Sequence, residues 1–370
     1  MHMHLAVIAA PTCACTVWYV LAALAFLALA TWAHLRFWVA RLQKPLNYNE
    51  THRIATPDGS AFDLLRLGPG TSPLPPVLVV HGVAMNHRNL DTDENLSLPR
   101  HLHRLGRDVW LLRMRCGRHD LSRQERRTAS FQALASYDVP LAVREVLRRT
   151  GADQLDYIGF SMGGILLYAT LGRSVPEALV RRAVVMGSPG RIGVLIPGFR
   201  WLLRLPAAWM PRIPFHTLSR LAAFASEWVP TPIQHNLCNP HNCVPGSLRL
   251  TSVDAVQSVP GPLAHDFVRF AYTDQKVRLS DGRDILDGLA HIRVPVRFFA
   301  GARDRLGPPR SLEAACRAWG AQEVNIDKQL TILGVVHGYS ADYGHADLAI
   351  GRQVAQEVFE PISQFLGAAA

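Results

Sequence analysis

The chain has 370 residues, 49% of them hydrophobic and 18% charged, which gives enough apolar mass for a large core and too little charge for a disordered chain. Its net charge of +10 comes from scattered arginines (Arg113, Arg115, Arg118, Arg123, Arg126, Arg127, then Arg144, Arg148, Arg149). No Lys/Arg run alternates with aromatics and no zinc-finger or helix-turn-helix pattern is present, so nucleic acid is not an expected partner.

The excess charge fits a solvated basic face, or a surface near anionic lipid. Six cysteines are too few for a disulfide scaffold. Cys238 and Cys243 are close enough to pair in a local loop or to stay as thiols. His235 and His241 lie nearby, and a structural zinc there is the weaker reading.

Residues 1–35 contain no Asp, Glu, Lys or Arg, and residues 16–33 are almost wholly apolar. Eighteen helical residues span about 27 Å, the thickness of a bilayer core. Trp18 and Tyr19 sit near one end and Trp32 and Trp38 near the other, followed by Arg36, Arg41 and Lys44. The expectation is a membrane anchor over residues 1–48, linker included, with the following domain in the cytoplasm. A secreted protein, its signal peptide cleaved near Ala28-Leu29-Ala30, is the alternative.

Residues 43–48 read as a linker and 51–67 as a β-hairpin around Pro57-Asp58-Gly59. Residues 68–76 form a Gly/Pro-rich turn, and 77–80 a short strand buried on both faces, ending at His81-Gly82. Further strands are expected at 108–114, 155–158, 182–186 and 294–300. A helix is expected at 136–149, with Val139, Val143, Val146 and Leu147 on one face. Strands alternating with helices indicate a mostly parallel sheet covered on both faces. The alternation stops over residues 190–291, which hold many prolines and short apolar stretches at 199–205, 218–228 and 263–272. That segment is read as a helical lid inserted into a core made of residues 49–189 and 292–370.

The strand at 155–158 leads into Gly159-Phe160-Ser161-Met162-Gly163, with a helix-forming run behind it. A serine on such a strand-to-helix turn is a candidate nucleophile. It needs a base, and the base needs an orienting carboxylate. In a parallel sheet these belong at the carboxyl ends of strands. Asp304, four residues past the strand at 294–300, is the candidate acid. Position alone leaves two candidate bases, His337 and His345. The amides of Met162 and Val83 are the candidate oxyanion donors, and His81 is assigned to holding the loop that carries Val83.

With Ser161, Asp304 and His345 in this order, the chain from residue 77 onward resembles the α/β-hydrolase superfamily. "Val-His-Gly-Val-Ala-Met-Asn", "Trp-Leu-Leu-Arg-Met-Arg-Cys-Gly-Arg-His-Asp" and "Gly-His-Ala-Asp-Leu" are similar to a bacterial lipase- and esterase-like group, itself related to polyhydroxyalkanoate synthases. The resemblance implies an α/β-hydrolase fold: an eight-stranded, mostly parallel sheet flanked by helices, with a lid over the site. It also selects His345 as the base. The synthases carry cysteine where this chain has Ser161, which favours water over a growing polymer as acyl acceptor.

The expected activity is therefore hydrolysis of lipid-like carboxylic esters at a membrane through an acyl-enzyme on Ser161, with neither cofactor nor metal. An acyltransferase of lipid or polyester metabolism and a non-catalytic binding protein of the same fold are the alternatives. Trp201, Trp209 and Trp228 fit an acyl pocket or simple lid packing equally well.

Overall fold

The Val77–Val80 strand (β3) is four β-branched or leucine residues with no exposed side chain, a composition that suits a strand covered on both faces. It lies parallel between Val109–Arg113 (β4) and Leu155–Phe160 (β5). The computed structural model describes residues 12–194, 198–229 and 232–367. Around β3 it builds one eight-stranded sheet in the order β1-β2-β4-β3-β5-β6-β7-β8. The remaining strands are Glu50–Ala55 (β1), Ala61–Arg66 (β2), Val180–Met186 (β6), Val296–Gly301 (β7) and Lys328–Leu333 (β8). β1 and β2 form an antiparallel hairpin, closed at Gly59 with φ 77°. β2 pairs antiparallel with β4, and all later pairs are parallel.

The helices that matter here are Thr12–Leu42 (α1), Val139–Thr150 (α2), Met162–Thr170 (α3), Phe215–Ala222 (α4), Gly261–Tyr272 (α5), Pro309–Ala318 (α6) and Glu360–Gly367 (α7). α2 buries Val139, Val143, Val146 and Leu147 and ends at Gly151, whose φ of 69° suits a left-handed cap. A wide π turn over Leu134–Asp138 precedes it. Pro140 has no N–H to bond back to residue 136, which explains why the regular ladder starts late. Apolar side chains from both faces of the sheet form two buried clusters. One is centred on Trp110, Tyr157, Tyr168 and Phe298, the other on Ile158, Val184, Phe299 and Phe359.

Between β6 and β7 the described residues form no strand, only helices, turns and isolated bridges. The apolar stretch near residue 199 is a 3-10 helix, Phe199–Arg204, bounded by Gly198 with φ 95° and by Pro206. This segment reaches back to the loop after β3. Met85 bridges Val256, the Asn86 amide donates to Ala255 O (2.9 Å), and the Gln257 amide donates to Ala84 O (2.8 Å).

Residues 16–42 of α1 are apolar and long enough to cross a bilayer, with none of the most apolar window buried. Residues 43–48, expected as a linker, have no regular structure but are tied down. Lys44 N donates to Asp254 Oδ2 (3.1 Å), Arg88 Nη1 to Lys44 O (2.9 Å), and Tyr48 Oη to Asp91 Oδ2 (2.7 Å).

Candidate active site

Ser161 stands between β5 and α3 with φ 51° and ψ −117°, a conformation a side chain rarely adopts. The glycines around it explain how the turn fits. A Cβ on Gly163 would lie 2.2 Å from Val80 O, and one on Gly159 would lie 2.5 Å from Gly164 N. Only glycine permits that approach of α3 to the strands. The Ser161 amide donates to Met186 O (2.8 Å), tying the turn to the end of β6.

The loop after β3 closes on the other side. A Cβ on Gly82 would lie 3.0 Å from Ser161 Cβ, so this backbone runs directly beside the serine. Gly82 N is held by Asn89 Oδ1 (2.9 Å). The Val83 and Met162 amides, the candidate oxyanion donors, have no hydrogen-bond partner among the described residues. His81 is buried; its Nδ1 donates to Gly82 O (2.8 Å) and its Nε2 accepts from Met114 N (3.2 Å). Burial pushes its pKa down to about 4, so the ring stays neutral and braces the loop.

Asp304 follows β7 and is buried. Its Oδ1 accepts from the Leu306 and Gly307 amides (2.8 Å each), and its Oδ2 accepts from His345 Nδ1 (2.7 Å). With Nδ1 carrying the proton, His345 Nε2 is left as the free basic nitrogen. The ring packs against Phe160, with centroids 5.1 Å apart, and against Gly187, where a Cβ would lie 3.1 Å from Nδ1. Phe160 precedes Ser161, and Gly187 follows the residue that accepts its amide bond. The fold thus brings Ser161, Asp304 and His345 to one end of the sheet. His337 is exposed on the turn Val335–His337 after β8.

One feature beside the candidate site escaped the sequence. Asp347 is fully buried, two residues past His345. It accepts from Asn239 N at Oδ1 (2.9 Å) and from Asn242 Nδ2 at Oδ2 (3.1 Å). The Ala346 amide donates to Leu237 O (2.8 Å), and Asn239 Nδ2 to Asp342 O (3.0 Å). Residues 237–242, from the middle of the inserted segment, therefore clamp the turn that carries His345. The signal was available as two asparagines three apart and a His-x-Asp pair, but neither names its partner.

Cys238 and Cys243 are both free and buried, so the local disulfide is not formed. Their sulfurs and an Asp347 carboxylate oxygen lie within 4.8 Å of one another. Asp347, not His235 or His241, completes this group. The Cys243 thiol already donates to Asn239 O (3.5 Å). The arrangement is accounted for as part of the clamp.

Residues 75–329 match the family model of the alpha/beta hydrolase fold, and the chain belongs to that family. Within it the chain is a distant homologue of lipases. It is 27% identical over 187 residues to the lysosomal acid lipase/cholesteryl ester hydrolase of Homo sapiens, covering 47% of this chain and 45% of that protein. It is 31% identical over 140 residues to a probable lipase of Schizosaccharomyces pombe (33% and 30% covered). The chain thus aligns with less than half the length of these relatives. Among solved structures it resembles an esterase from Exiguobacterium antarcticum (TM-score 0.53, 16% identity, 85% of this chain and 99% of that one). A hydrolase from Pseudomonas aeruginosa PA01 is similar (TM-score 0.55, 15% identity, 87% and 100%). At such identities the likeness is one of fold.

Proposed function

We propose that the chain is a membrane-anchored serine hydrolase of carboxylic esters with long apolar acyl groups. The observation that carries this reading is the 2.7 Å bond from His345 Nδ1 to Asp304 Oδ2, with the imidazole packed on the Ser161 turn. Ser161 Oγ attacks the ester carbonyl while His345 Nε2 takes its proton. The resulting oxyanion is met by the Val83 and Met162 amides, and α3 directs its N-terminus at the same charge. His345 then returns the proton to the leaving alkoxide, and an acyl-enzyme remains on Ser161. A water, deprotonated by His345, releases the acid and restores the serine. Asp304 holds the ring and stabilises the imidazolium in both halves.

A hydroxyl nucleophile in place of a thiol supports hydrolysis over polymer synthesis. The lipases among the relatives support a lipid-like ester, and the segment 190–291, bonded to the loop after β3, is assigned as the lid. α1 is assigned as the anchor, with Arg36, Arg41 and Lys44 on the cytoplasmic side. The test is labelling with a fluorophosphonate probe, alongside turnover of p-nitrophenyl esters of increasing chain length. Ser161→Ala should abolish both. Absence of labelling at Ser161 in the folded wild-type chain would overturn the assignment, and labelling without ester turnover would point to acyl transfer.

A further inference from the structure

The apolar helix is not a detached tail. From His34 onward α1 lies on the inserted segment. His34 Nε2 donates to Leu221 O (3.1 Å), and the Trp38 ring stacks on Phe224 with centroids 5.6 Å apart. Arg36 is the first charged side chain after the apolar run, and its guanidinium lies 5.8 Å from the Trp32 ring centroid. If α1 spans a bilayer, an interfacial tryptophan beside the first arginine marks the boundary. Trp32 to Trp38 is six helical residues, about 9 Å of rise. The contacts to Leu221 and Phe224 therefore hold α4 within about 10 Å of the hydrocarbon edge. The bonds on Lys44 N and Lys44 O prevent the domain from swinging away from that position.

The stretch that carries these contacts also shows apolar side chains to solvent. Leu218 is 53% exposed, one turn before Leu221 on the same face of α4. Trp228 and Val229 follow Phe224 by four and five residues and are 68% and 60% exposed. Phe37, on α1 itself, is 59% exposed. Single exposed apolar groups need no explanation, but several within a few residues of the contacts to a membrane-length helix do. Arg249 lies over the Trp228 ring at 4.4 Å, with its Nε 3.9 Å from Glu227 Oε2.

We propose that Leu218, Trp228 and Val229 dock into the interface of a phospholipid bilayer next to α1. The segment over the active site then rests on the membrane, and ester substrates reach Ser161 from the bilayer and not from water. The delivery of substrate rests on the hydrolase reading above; the docking rests on α1 as a span.

The experiment uses the full chain in nanodiscs of mixed zwitterionic and anionic phospholipid. Rates are measured on a soluble short-chain p-nitrophenyl ester and on a fluorescent long-chain ester carried in the same bilayer. The triple variant Leu218→Ser, Trp228→Ser, Val229→Ser should lose about tenfold or more on the bilayer-held ester, a fall that matches removal of interfacial apolar area. It should keep the soluble-ester rate, which also reports that it is folded. Tryptophan quenching gives a readout independent of activity. In the wild type, brominated acyl chains should quench a component that disappears in Trp228→Phe. Equal loss on both substrates, or quenching of the Trp228 component by aqueous iodide and not by brominated lipid, would overturn the docking. Lipid quenching of Trp228 in a protein that hydrolyses neither ester would leave the docking standing and remove the hydrolase reading.

Discussion

The Ser161 turn is held by backbone fit, whereas Asp304 and His345 are held by side-chain hydrogen bonds between loops. At the serine turn the constraints are mainly steric: glycines at 159 and 163 let α3 approach the strands, and Gly82 lets the neighbouring loop, itself braced by His81 and Asn89, reach the serine. On the other side the atoms that matter are carboxylate oxygens. Asp304 receives two amides and an imidazole, and Asp347 pins the turn carrying that imidazole to residues 239–242. A steric site is written in short sequence patterns because the fit is local. A hydrogen-bonded site joins residues about 40 and 100 positions apart, and its pairing appears only in the fold.

The sharpest way to break this division is to remove each late histidine. His345→Ala should lower kcat by about a thousandfold or more, since loss of a triad base leaves only the oxyanion site and binding. His337→Ala should leave the rate within about twofold, because that ring is exposed and the Asp304 bond is untouched. Ester turnover by the two purified variants decides it. The reverse result would place the base on the turn after β8 and leave His345 without a catalytic role.

That position along the chain did not separate the two histidines shows where sequence reasoning thins. The parallel strands were readable because 77–80 and 182–186 are continuous apolar runs of strand length. The serine turn was readable because glycine at fixed offsets has a steric meaning. Asp304 was readable from its distance past a buried strand. For the histidines, two rings near the end of one strand carry no local mark of which one meets the acid, and only the family resemblance chose between them. The pairing of Asp347 was hidden for a further reason: its partners Asn239 and Asn242 lie in a proline-rich stretch with no periodic signal. The thiols at Cys238 and Cys243 suggested a disulfide or a metal from spacing alone, while their actual neighbour is the Asp347 carboxylate.

The serine half can be tested through its buried histidine. His81 has a pKa of about 4 in the fold, lowered first by burial and also by the Arg113 charge, against 6.5 when exposed. Above pH 6.5 it is neutral in both states and costs nothing. As pH falls from 6.5 toward 4 the unfolded chain takes up the proton and the native state does not, so stability drops throughout that window. The full difference is worth at most about 3 kcal/mol. His87, also buried and also shifted down by burial, acts in the same direction. Urea midpoints at pH 7 and pH 5 should therefore differ less in His81→Gln, which keeps an acceptor for Met114 N, than in the wild type. Equal differences would mean that the loop does not depend on a neutral ring.

The hydrogen-bonded half is tested most finely at Asp347. Asp347→Asn keeps the shape and retains an acceptor for Asn239 N, but it sets an amide donor against Asn242 Nδ2, so one bond of the clamp is lost. Asp347 touches no reacting atom, so its effect must pass through the position of His345. The expected result is a fall in kcat of about tenfold with KM nearly unchanged, the pattern of an interaction felt only in the transition state. Adding Asn242→Asp to Asp347→Asn restores a donor–acceptor pair with the roles exchanged, and kcat should recover most of the loss. A merely structural carboxylate would instead lower the melting temperature and leave kcat per folded molecule unchanged. If so, the turn bearing His345 is fixed by Asp304 and its own backbone, and the two halves of the site are less different than their geometry suggests.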